Sequence, residues 1–238
     1  MVKYVELKHK EGFIRGLHHD NKANTIVIFL HGFTGNKNES YFMFSYQAKL
    51  LDKLNIDSIR LDYYGSGDSD GFFEDMDFYD LIVQGKKIIE YVKSLGYHHI
   101  YLEGMSMGGA LAIALASEDI AKLILVSPAI NMADLTNEIF KISEILPSGN
   151  ASYKSLEISP LFKKSVEEID LFENIVNLDI PTLIIQGTAD LAVPYENALK
   201  VKEKIKKAIL ITVEGGDHIY SEKSYKDALF SNILNFVR

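Results

Sequence analysis

Six short runs of mostly apolar, often β-branched residues recur along the chain and alternate with segments of helical periodicity. The runs are Thr25–Leu30, Ser58–Asp62, Ile100–Leu102, Leu123–Val126, Thr182–Ile185 and Ile209–Val213. Runs of this length and composition are typical of strands that are buried on both faces of a parallel sheet. Their alternation with helical segments predicts an α/β fold with a mostly parallel, doubly wound sheet.

Segments outside these runs, one near the N-terminus and two in the C-terminal quarter of the chain, extend this pattern. Tyr4–Lys8 and Phe13–His18 alternate apolar and polar residues around a Glu-Gly turn, which predicts an N-terminal hairpin. Pro194 fits the first turn of a helix that runs toward Lys206. A C-terminal helix is predicted from an apolar stripe. The stripe consists of Tyr225, Leu229, Ile233 and Phe236.

One long segment interrupts the alternation. Between Pro128 and Ile180 about fifty residues show no clear strand, which is more than an ordinary connection needs. We interpret 129–179 as a helical cap insertion on a core formed by 1–128 and 180–238. A longer helical crossover is the alternative. Within 133–146, four apolar residues would share one helix face and form the predicted substrate-binding surface. They are Leu135, Ile139, Ile142 and Leu146.

Composition excludes several kinds of site and partner. The chain has no cysteine, so disulfides, thiolate metal sites and a cysteine nucleophile are excluded. Its formal net charge of −8 disfavours binding to nucleic acid or to anionic membranes. Charges interrupt the N-terminal segment and the most apolar stretch, so we expect neither a signal peptide nor a membrane span. We expect a cytoplasmic protein, with a homodimer left open as an assembly.

The pattern Gly-x-Ser-x-Gly occurs twice, and the surroundings distinguish the two copies. The copy at 104–108 follows an apolar run and precedes a segment rich in Ala and Leu, as a sharp strand-to-helix turn around a nucleophilic serine requires. The copy at 67–71 carries Asp68 and Asp70, whose charges would oppose an oxyanion, and no helical run follows it. We therefore assign the nucleophile to Ser106 and a loop role to Ser69. Helix N-capping is the structural alternative for Ser106.

Chain order then selects a base and an acid. The strand–turn–helix setting of Ser106 resembles that of α/β-hydrolases, and this resemblance implies that the acid and then the histidine follow the serine. His218 is the only one of the seven histidines after Ser106, and it lies in a glycine-containing loop after the last predicted strand. Asp190 is the only carboxylate in the turn after Thr182–Ile185, and it would hold and stabilise the imidazole. An exposed loop histidine and a turn-capping aspartate are the alternatives.

Negative charge that develops on a substrate carbonyl oxygen needs backbone amides as donors. We expect one from Met107, which directly follows the serine. We expect the second from Phe33, in the loop His31-Gly32-Phe33-Thr34-Gly35 after the first buried strand. We call residues 31–35 the oxyanion loop. His31 is interpreted as orienting this loop, since it precedes the serine and His218 is the better base.

These motifs together resemble the α/β-hydrolase superfamily and, within it, the bacterial cinnamoyl (feruloyl) esterases. The matching segments are 31–35, 60–71, 104–109, 187–190 and 214–218. The resemblance implies the α/β-hydrolase fold with a cap over the site. It also implies a serine carboxylesterase that works through an acyl-enzyme on hydroxycinnamoyl or other small esters, with no cofactor and no metal.

Other functions share parts of this pattern. A monoacylglycerol lipase would use the same catalytic residues and differ in its pocket. An aminopeptidase of the same fold would need a carboxylate for the substrate ammonium, for which Glu138, Glu144 and Glu157 are available. A non-catalytic ligand-binding protein on a hydrolase scaffold belongs to a different class, and such proteins usually lack one of the three catalytic side chains.

Overall fold

An eight-stranded sheet forms the centre of the computed structural model, which describes residues 1–173 and 179–238. Its strands are β1 (Val2–His9), β2 (Gly12–His19), β3 (Thr25–Leu30), β4 (Asp57–Leu61), β5 (His99–Met105), β6 (Ile120–Val126), β9 (Thr182–Gly187) and β10 (Ala208–Val213), with the short β7 (Ala151–Tyr153) and β8 (Leu156–Ile158) outside it. The spatial order is β1-β2-β4-β3-β5-β6-β9-β10. β1–β2 and β2–β4 pair antiparallel, and the other neighbours pair parallel. The six predicted runs and the N-terminal hairpin are confirmed, with bounds that shift by a few residues.

Helices cover both faces of this sheet. They are α1 (Met43–Asp52), α2 (Phe78–Ser94), α3 (Met107–Ala114), α6 (Tyr195–Lys204) and α7 (Lys223–Val237), whereas α4 (Met132–Ile142) and α5 (Pro160–Glu168) belong to the segment between β6 and β9. Successive residues of a strand point to opposite faces. In β3, Ile28 therefore packs in the core beneath α2 and α3, whereas Val27 and Phe29 pack in the core beneath α1 and α7. A strand with apolar residues on both faces requires this doubly wound arrangement, which confirms the predicted fold class.

The C-terminal helix lies where its periodicity predicted it, but its buried side is rotated. Leu229 and Ile233 are fully buried, as expected. Phe230 and Val237 are also buried, whereas Tyr225 and Phe236 are only partly covered. Within residues 1–173 and 179–238, none of the helices combines the length and apolar character that a membrane crossing requires.

The segment between β6 and β9 differs from the sequence-based expectation in two ways. It contains the antiparallel hairpin β7–β8 where no strand was predicted, because strands of three residues carry too little periodicity to be recognised. Its first helix ends at Ile142 and not at Leu146. Pro147 disfavours helical backbone at the residue before it, and Leu146 instead makes a turn with Asn150 and Gly149. Positions 174–178 of the predicted cap lie outside the described residues.

Candidate active site

Ser106 occupies the sharp turn between β5 and α3. Its backbone angles are φ 56° and ψ −117°, a combination that is sterically costly for a residue with a side chain. Main-chain hydrogen bonds hold it there. Its amide donates to the Val126 carbonyl (2.9 Å), and its own carbonyl accepts from Gly109 (2.9 Å) and Ala129 (3.1 Å). The hydroxyl is thereby presented at the end of the sheet, in front of the helix N-terminus.

The two glycines of the motif are sterically required. A Cβ atom on Gly104 would lie 2.0 Å from the Gly108 carbonyl oxygen. A Cβ atom on Gly108 would lie 1.9 Å from the Leu30 carbonyl oxygen of β3. Both distances are far below van der Waals contact, so a larger side chain at either position would push α3 away from the strands and displace Ser106.

His218 and Asp190 meet Ser106 at this edge of the sheet. The Nε2 atom of His218 lies 3.1 Å from the Ser106 hydroxyl oxygen, and its Nδ1 atom lies 2.8 Å from Asp190 Oδ2. Asp190 comes from the turn after β9 and His218 from the loop after β10, which are neighbouring parallel strands. The structure therefore brings together all three residues that the sequence analysis selected, although 112 positions separate Ser106 from His218.

Asp190 is held as an acceptor for the imidazole. Its other oxygen accepts the amides of Ala192 (2.9 Å) and Val193 (2.8 Å), and Gln186 Nε2 donates to Oδ2 (3.0 Å). Burial alone would raise the pKa of Asp190, but the hydrogen bond and charge of His218, with these amides, hold the pKa below its ordinary range. An ionised carboxylate only accepts, so His218 Nδ1 carries a proton and Nε2 is free to take one from Ser106.

The loop that carries His218 is anchored by a residue that the sequence analysis did not identify. Tyr220 has a φ of 51°, which is rare for a bulky side chain. Its buried hydroxyl donates to the Ile185 carbonyl of β9 (3.2 Å) and lies 3.2 Å from the Ser127 hydroxyl. The neighbouring carboxylate of Asp217 accepts the Ser221 amide (2.8 Å), whereas the imidazole of His218 contacts Asp190.

The oxyanion loop lies beside Ser106. A Cβ atom on Gly32 would be 3.4 Å from the Ser106 Cβ. Burial lowers the pKa of His31, so this imidazole is neutral. Its Nε2 accepts from the Tyr63 amide (3.3 Å), so Nδ1 carries the proton and donates to the Gly32 carbonyl (2.9 Å). The C=O and N–H of a trans peptide point in opposite directions, and this bond therefore directs the Phe33 amide to the other side of the loop.

Met107, the other predicted donor, is the first residue of α3. The amides of the first helical turn have no acceptor within the helix. Together with its position directly after Ser106, this leaves the Met107 amide available to a group bound at the serine.

The second Gly-x-Ser-x-Gly copy has a structural role. The Ser69 hydroxyl donates to the Asp62 carbonyl (2.7 Å) and accepts the Arg15 amide (2.8 Å). The Arg15 guanidinium makes a two-point contact with the Asp70 carboxylate, at 2.6 Å and 2.9 Å. This loop fastens β2 to the end of β4, as the loop assignment of Ser69 anticipated.

A cavity of about 510 Å³ opens in front of the serine. Ser106 and His218 lie in its wall, the oxyanion loop forms one side, and the 129–179 segment forms another. The residues contributed by that segment are Met132, Leu135, Thr136, Glu138, Ile139, Ile142, Tyr153 and Lys154.

Three of the four predicted substrate-binding residues, namely Leu135, Ile139 and Ile142, therefore line this cavity. The prediction for Leu146 is wrong. The helix that was to present it has already ended, and Leu146 is absent from the cavity wall that the described residues form. Tyr153 and Lys154 were missed because they belong to the unpredicted hairpin. Glu39 was missed because it lies in an aperiodic loop.

Comparisons with known proteins agree with this architecture. A family model described as serine aminopeptidase, S33, matches residues 21–170, and a model of TAP-like proteins matches 163–238. The AB hydrolase superfamily protein YisY of Bacillus subtilis is 27% identical over 88% of this chain and 91% of its own length. Human monoacylglycerol lipase ABHD6 is 26% identical over 72% of this chain, which spans half of that protein.

A solved structure of similar fold is Est1E from Butyrivibrio proteoclasticus with ferulic acid bound. Its TM-score is 0.82 and its identity 24%, with 98% of this chain and 99% of that chain covered. Such a level of identity supports the fold alone. The family model, in contrast, spans more than half of the sequence, and the α/β-hydrolase resemblance inferred from the motifs is confirmed. The chain belongs to the serine aminopeptidase, S33, family of α/β-hydrolases.

Proposed function

We propose that this hydrolase is a serine carboxylesterase with Ser106 as nucleophile, His218 as base and Asp190 as the ionised carboxylate that orients and stabilises the imidazole. The observation that carries the proposal is the continuous contact from the Ser106 hydroxyl through the imidazole to the buried carboxylate. An N-cap serine would need neither a histidine at its hydroxyl nor a strained φ. A scaffold that had lost catalysis would not be expected to keep all three groups within hydrogen-bond distance.

The reaction proceeds in two acyl transfers. His218 Nε2 takes the hydroxyl proton as the Ser106 oxygen attacks the ester carbonyl, and a tetrahedral oxyanion forms. The carbon–oxygen bond to the alcohol breaks as Nε2–H protonates the leaving oxygen, which leaves an acyl-serine. Water then gives its proton to Nε2 and attacks the acyl carbon, and the acid departs as Ser106 regains its proton. The ionised Asp190 stabilises the imidazolium in both halves.

The amides of Phe33 and Met107 are the proposed donors to the oxyanion. Both belong to backbone segments that are fixed before substrate binds, the first by the His31 contact and the second by the start of α3. Preorganised donors of this kind act where charge develops, and the loss of one typically costs about 10²–10³ in turnover. No step requires a metal or an organic cofactor.

We further propose that 1–128 and 180–238 form the hydrolase core and that 129–179 act as a cap that selects the substrate. Most of the residues that this segment contributes to the cavity wall are apolar or aromatic, which suits a small ester with an apolar or aromatic acyl group. They are Met132, Leu135, Ile139, Ile142 and Tyr153. The Phe33 ring stacks on Phe162 of α5 at 5.0 Å, so an aromatic contact joins the segment to the oxyanion loop. Hydroxycinnamoyl esters fit these surroundings, and the fold similarity to a ferulate-bound esterase agrees with them.

An aminopeptidase is the second candidate, because carboxylates lie in the same cavity. Glu39 and Glu138 both line it and would attract a substrate ammonium group. Glu138 is exposed and pairs with Lys141 (3.4 Å), which weakens this attraction.

A substrate panel tests these proposals. It consists of methyl ferulate, p-nitrophenyl esters of increasing chain length, a monoacylglycerol and aminoacyl p-nitroanilides, each measured with the wild type, Ser106→Ala and Ser69→Ala. We expect ester hydrolysis that disappears in Ser106→Ala and persists in Ser69→Ala, the matched serine in the other copy of the motif. Turnover by Ser106→Ala at the wild-type rate would overturn the nucleophile assignment. A preference for aminoacyl anilides over every ester would favour the aminopeptidase.

A further inference from the structure

Glu39 adopts a backbone conformation that is unusual for its residue type. Its φ of 57° and ψ of 173° fall in a region that is essentially reserved for glycine. Tyr41 and Phe42, just after it, also have positive φ, at 51° and 59°. Three such residues within four positions are retained only where surrounding contacts compensate for the strain. The contacts of Glu39 therefore indicate what this conformation is for.

The Glu39 side chain binds the oxyanion loop. Its Oε1 accepts the amide of Gly32, and its Oε2 accepts the amide of Ser40 (3.1 Å). The backbone of Glu39 is fixed on both sides, since its amide donates to the Asn36 carbonyl (2.9 Å) and its carbonyl accepts the Phe42 amide (3.2 Å). The strained backbone thus delivers a carboxylate to one particular amide, the one that directly precedes the proposed oxyanion donor.

The carboxylate completes a set of contacts that immobilises two consecutive peptide groups. In the peptide between His31 and Gly32, the carbonyl accepts a hydrogen bond from the Tyr63 hydroxyl (3.3 Å) and the amide donates to Glu39. In the next peptide, between Gly32 and Phe33, the carbonyl accepts hydrogen bonds from His31 Nδ1 (2.9 Å) and from the Gly35 amide (3.1 Å). The remaining group of the second peptide is the Phe33 amide. Its direction depends on both peptides, because rotation of the first peptide would turn the second.

We propose that Glu39 is a positioning residue that holds the oxyanion loop so that the Phe33 amide faces the reacting carbonyl. This inference rests on the proposed serine esterase function. The carboxylate acts through the Gly32 amide and not through the substrate. Its loss should therefore weaken transition-state stabilisation and leave ground-state binding of a neutral ester nearly unchanged.

Three substitutions at position 39 separate the carboxylate from the backbone strain. Glu39→Gly removes the carboxylate but suits the observed φ and ψ, so this variant should fold at least as well as the wild type. Glu39→Ala removes the carboxylate and keeps the strain. Glu39→Gln keeps an acceptor oxygen for the Gly32 amide. Glu203→Gln, which changes an exposed carboxylate on α6, is the control for the loss of one charge.

The measurements are kcat and KM for a neutral p-nitrophenyl ester, the inhibition constant of an aryl boronic acid, and thermal unfolding. Because a displaced oxyanion donor costs somewhat less than a deleted one, we expect kcat to fall about 10–100-fold in Glu39→Gly and Glu39→Ala, with KM within about threefold. The boronic acid, which forms a tetrahedral adduct with the serine, should bind more weakly by a similar factor. Glu39→Gln should recover most of kcat, and Glu203→Gln should match the wild type.

Several results would overturn the inference. A stably folded Glu39→Gly enzyme with wild-type kcat would show that the loop needs no carboxylate. A change confined to KM, found with aminoacyl esters and not with neutral esters, would identify Glu39 as a ligand of a substrate ammonium. Both failures leave the proposed function intact, provided that Ser106→Ala is inactive. If the wild type hydrolysed no ester, the proposed function would fail and this inference with it.

Discussion

Glu103 offers a test of how burial and protonation determine the stability of this fold. It lies in β5, fully buried, and Gln47 of α1 donates to its Oε2 at 2.5 Å. Among the described residues, neither Glu103 Oε1 nor Gln47 Oε1 has a hydrogen-bond partner. Burial raises the pKa of Glu103 to about 8, although the bond from Gln47 opposes this rise. The change to be tested is Glu103→Gln, whose amide could donate to the unpaired oxygen of Gln47.

The sign and size of the effect follow from proton linkage. A carboxyl whose pKa is raised on folding gives stability that is complete below its unfolded pKa and is lost as the pH rises toward the folded value. For Glu103 this window extends from the ordinary 4.5 to about 8. At about 1.4 kcal/mol per pH unit, the interval between 4.5 and 7 corresponds to about 3 kcal/mol of unfolding free energy that the wild type loses and Glu103→Gln keeps.

Urea unfolding at pH 5, 6, 7 and 8 measures this difference. The unfolding free energy of Glu103→Gln relative to the wild type should increase with pH. The contribution of proton linkage to this difference should grow from under about 1 kcal/mol at pH 5 to about 3 kcal/mol at pH 7. Glu203→Gln, which changes an exposed carboxylate, should show no such increase. A stability difference that is the same at every pH would refute the reasoning, since a packing effect is independent of proton binding.

Three further predictions concern the site. Asp190→Asn should lower kcat by about 10⁴, because an amide can donate to His218 Nδ1 and favours the wrong tautomer; a loss below tenfold would argue against this acid. Tyr220→Phe should lower the free energy of unfolding by about 1–3 kcal/mol, since it removes the hydrogen bond to the Ile185 carbonyl and leaves the buried Ser127 hydroxyl without its Tyr220 partner, and unchanged urea midpoints would contradict that anchoring role. Ile142→Ala should shift relative kcat/KM across p-nitrophenyl esters of different chain length, whereas Leu146→Ala, outside the cavity, should not; equal shifts would reject the cavity assignment.

The predictions that succeeded depend on strong local signals. Buried parallel strands such as Thr25–Leu30 are continuous apolar runs, because helices cover both faces of the sheet. The turn at Ser106 needs glycines at fixed spacing for steric reasons, so it is visible in the sequence. Chain order then identified His218 and Asp190, which do meet Ser106 in the structure.

The predictions that failed depend on short or non-local interactions. Leu146 continued the helical period, but the helix ends at Ile142, Ser143 is already extended, and Leu146 forms a turn with Asn150. The β7–β8 hairpin is too short to show a period of two. Glu39 looks like an ordinary polar loop residue. Its contact with Gly32 depends on a positive φ, and no local rule predicts a positive φ for a glutamate that is not part of a glycine-rich turn.

The way Ser106 is held also affects how readily this enzyme could acquire a new specificity. Its partners at the turn are carbonyl and amide groups of Val126, Gly109 and Ala129, together with two positions that tolerate only glycine. Every residue type except proline offers the same main-chain donor and acceptor, so most substitutions leave this support unchanged. The proposed reactive centre and the cavity wall can therefore diverge separately, and laboratory evolution directed at α4 and the β7–β8 hairpin should alter substrate choice with little effect on the position of Ser106.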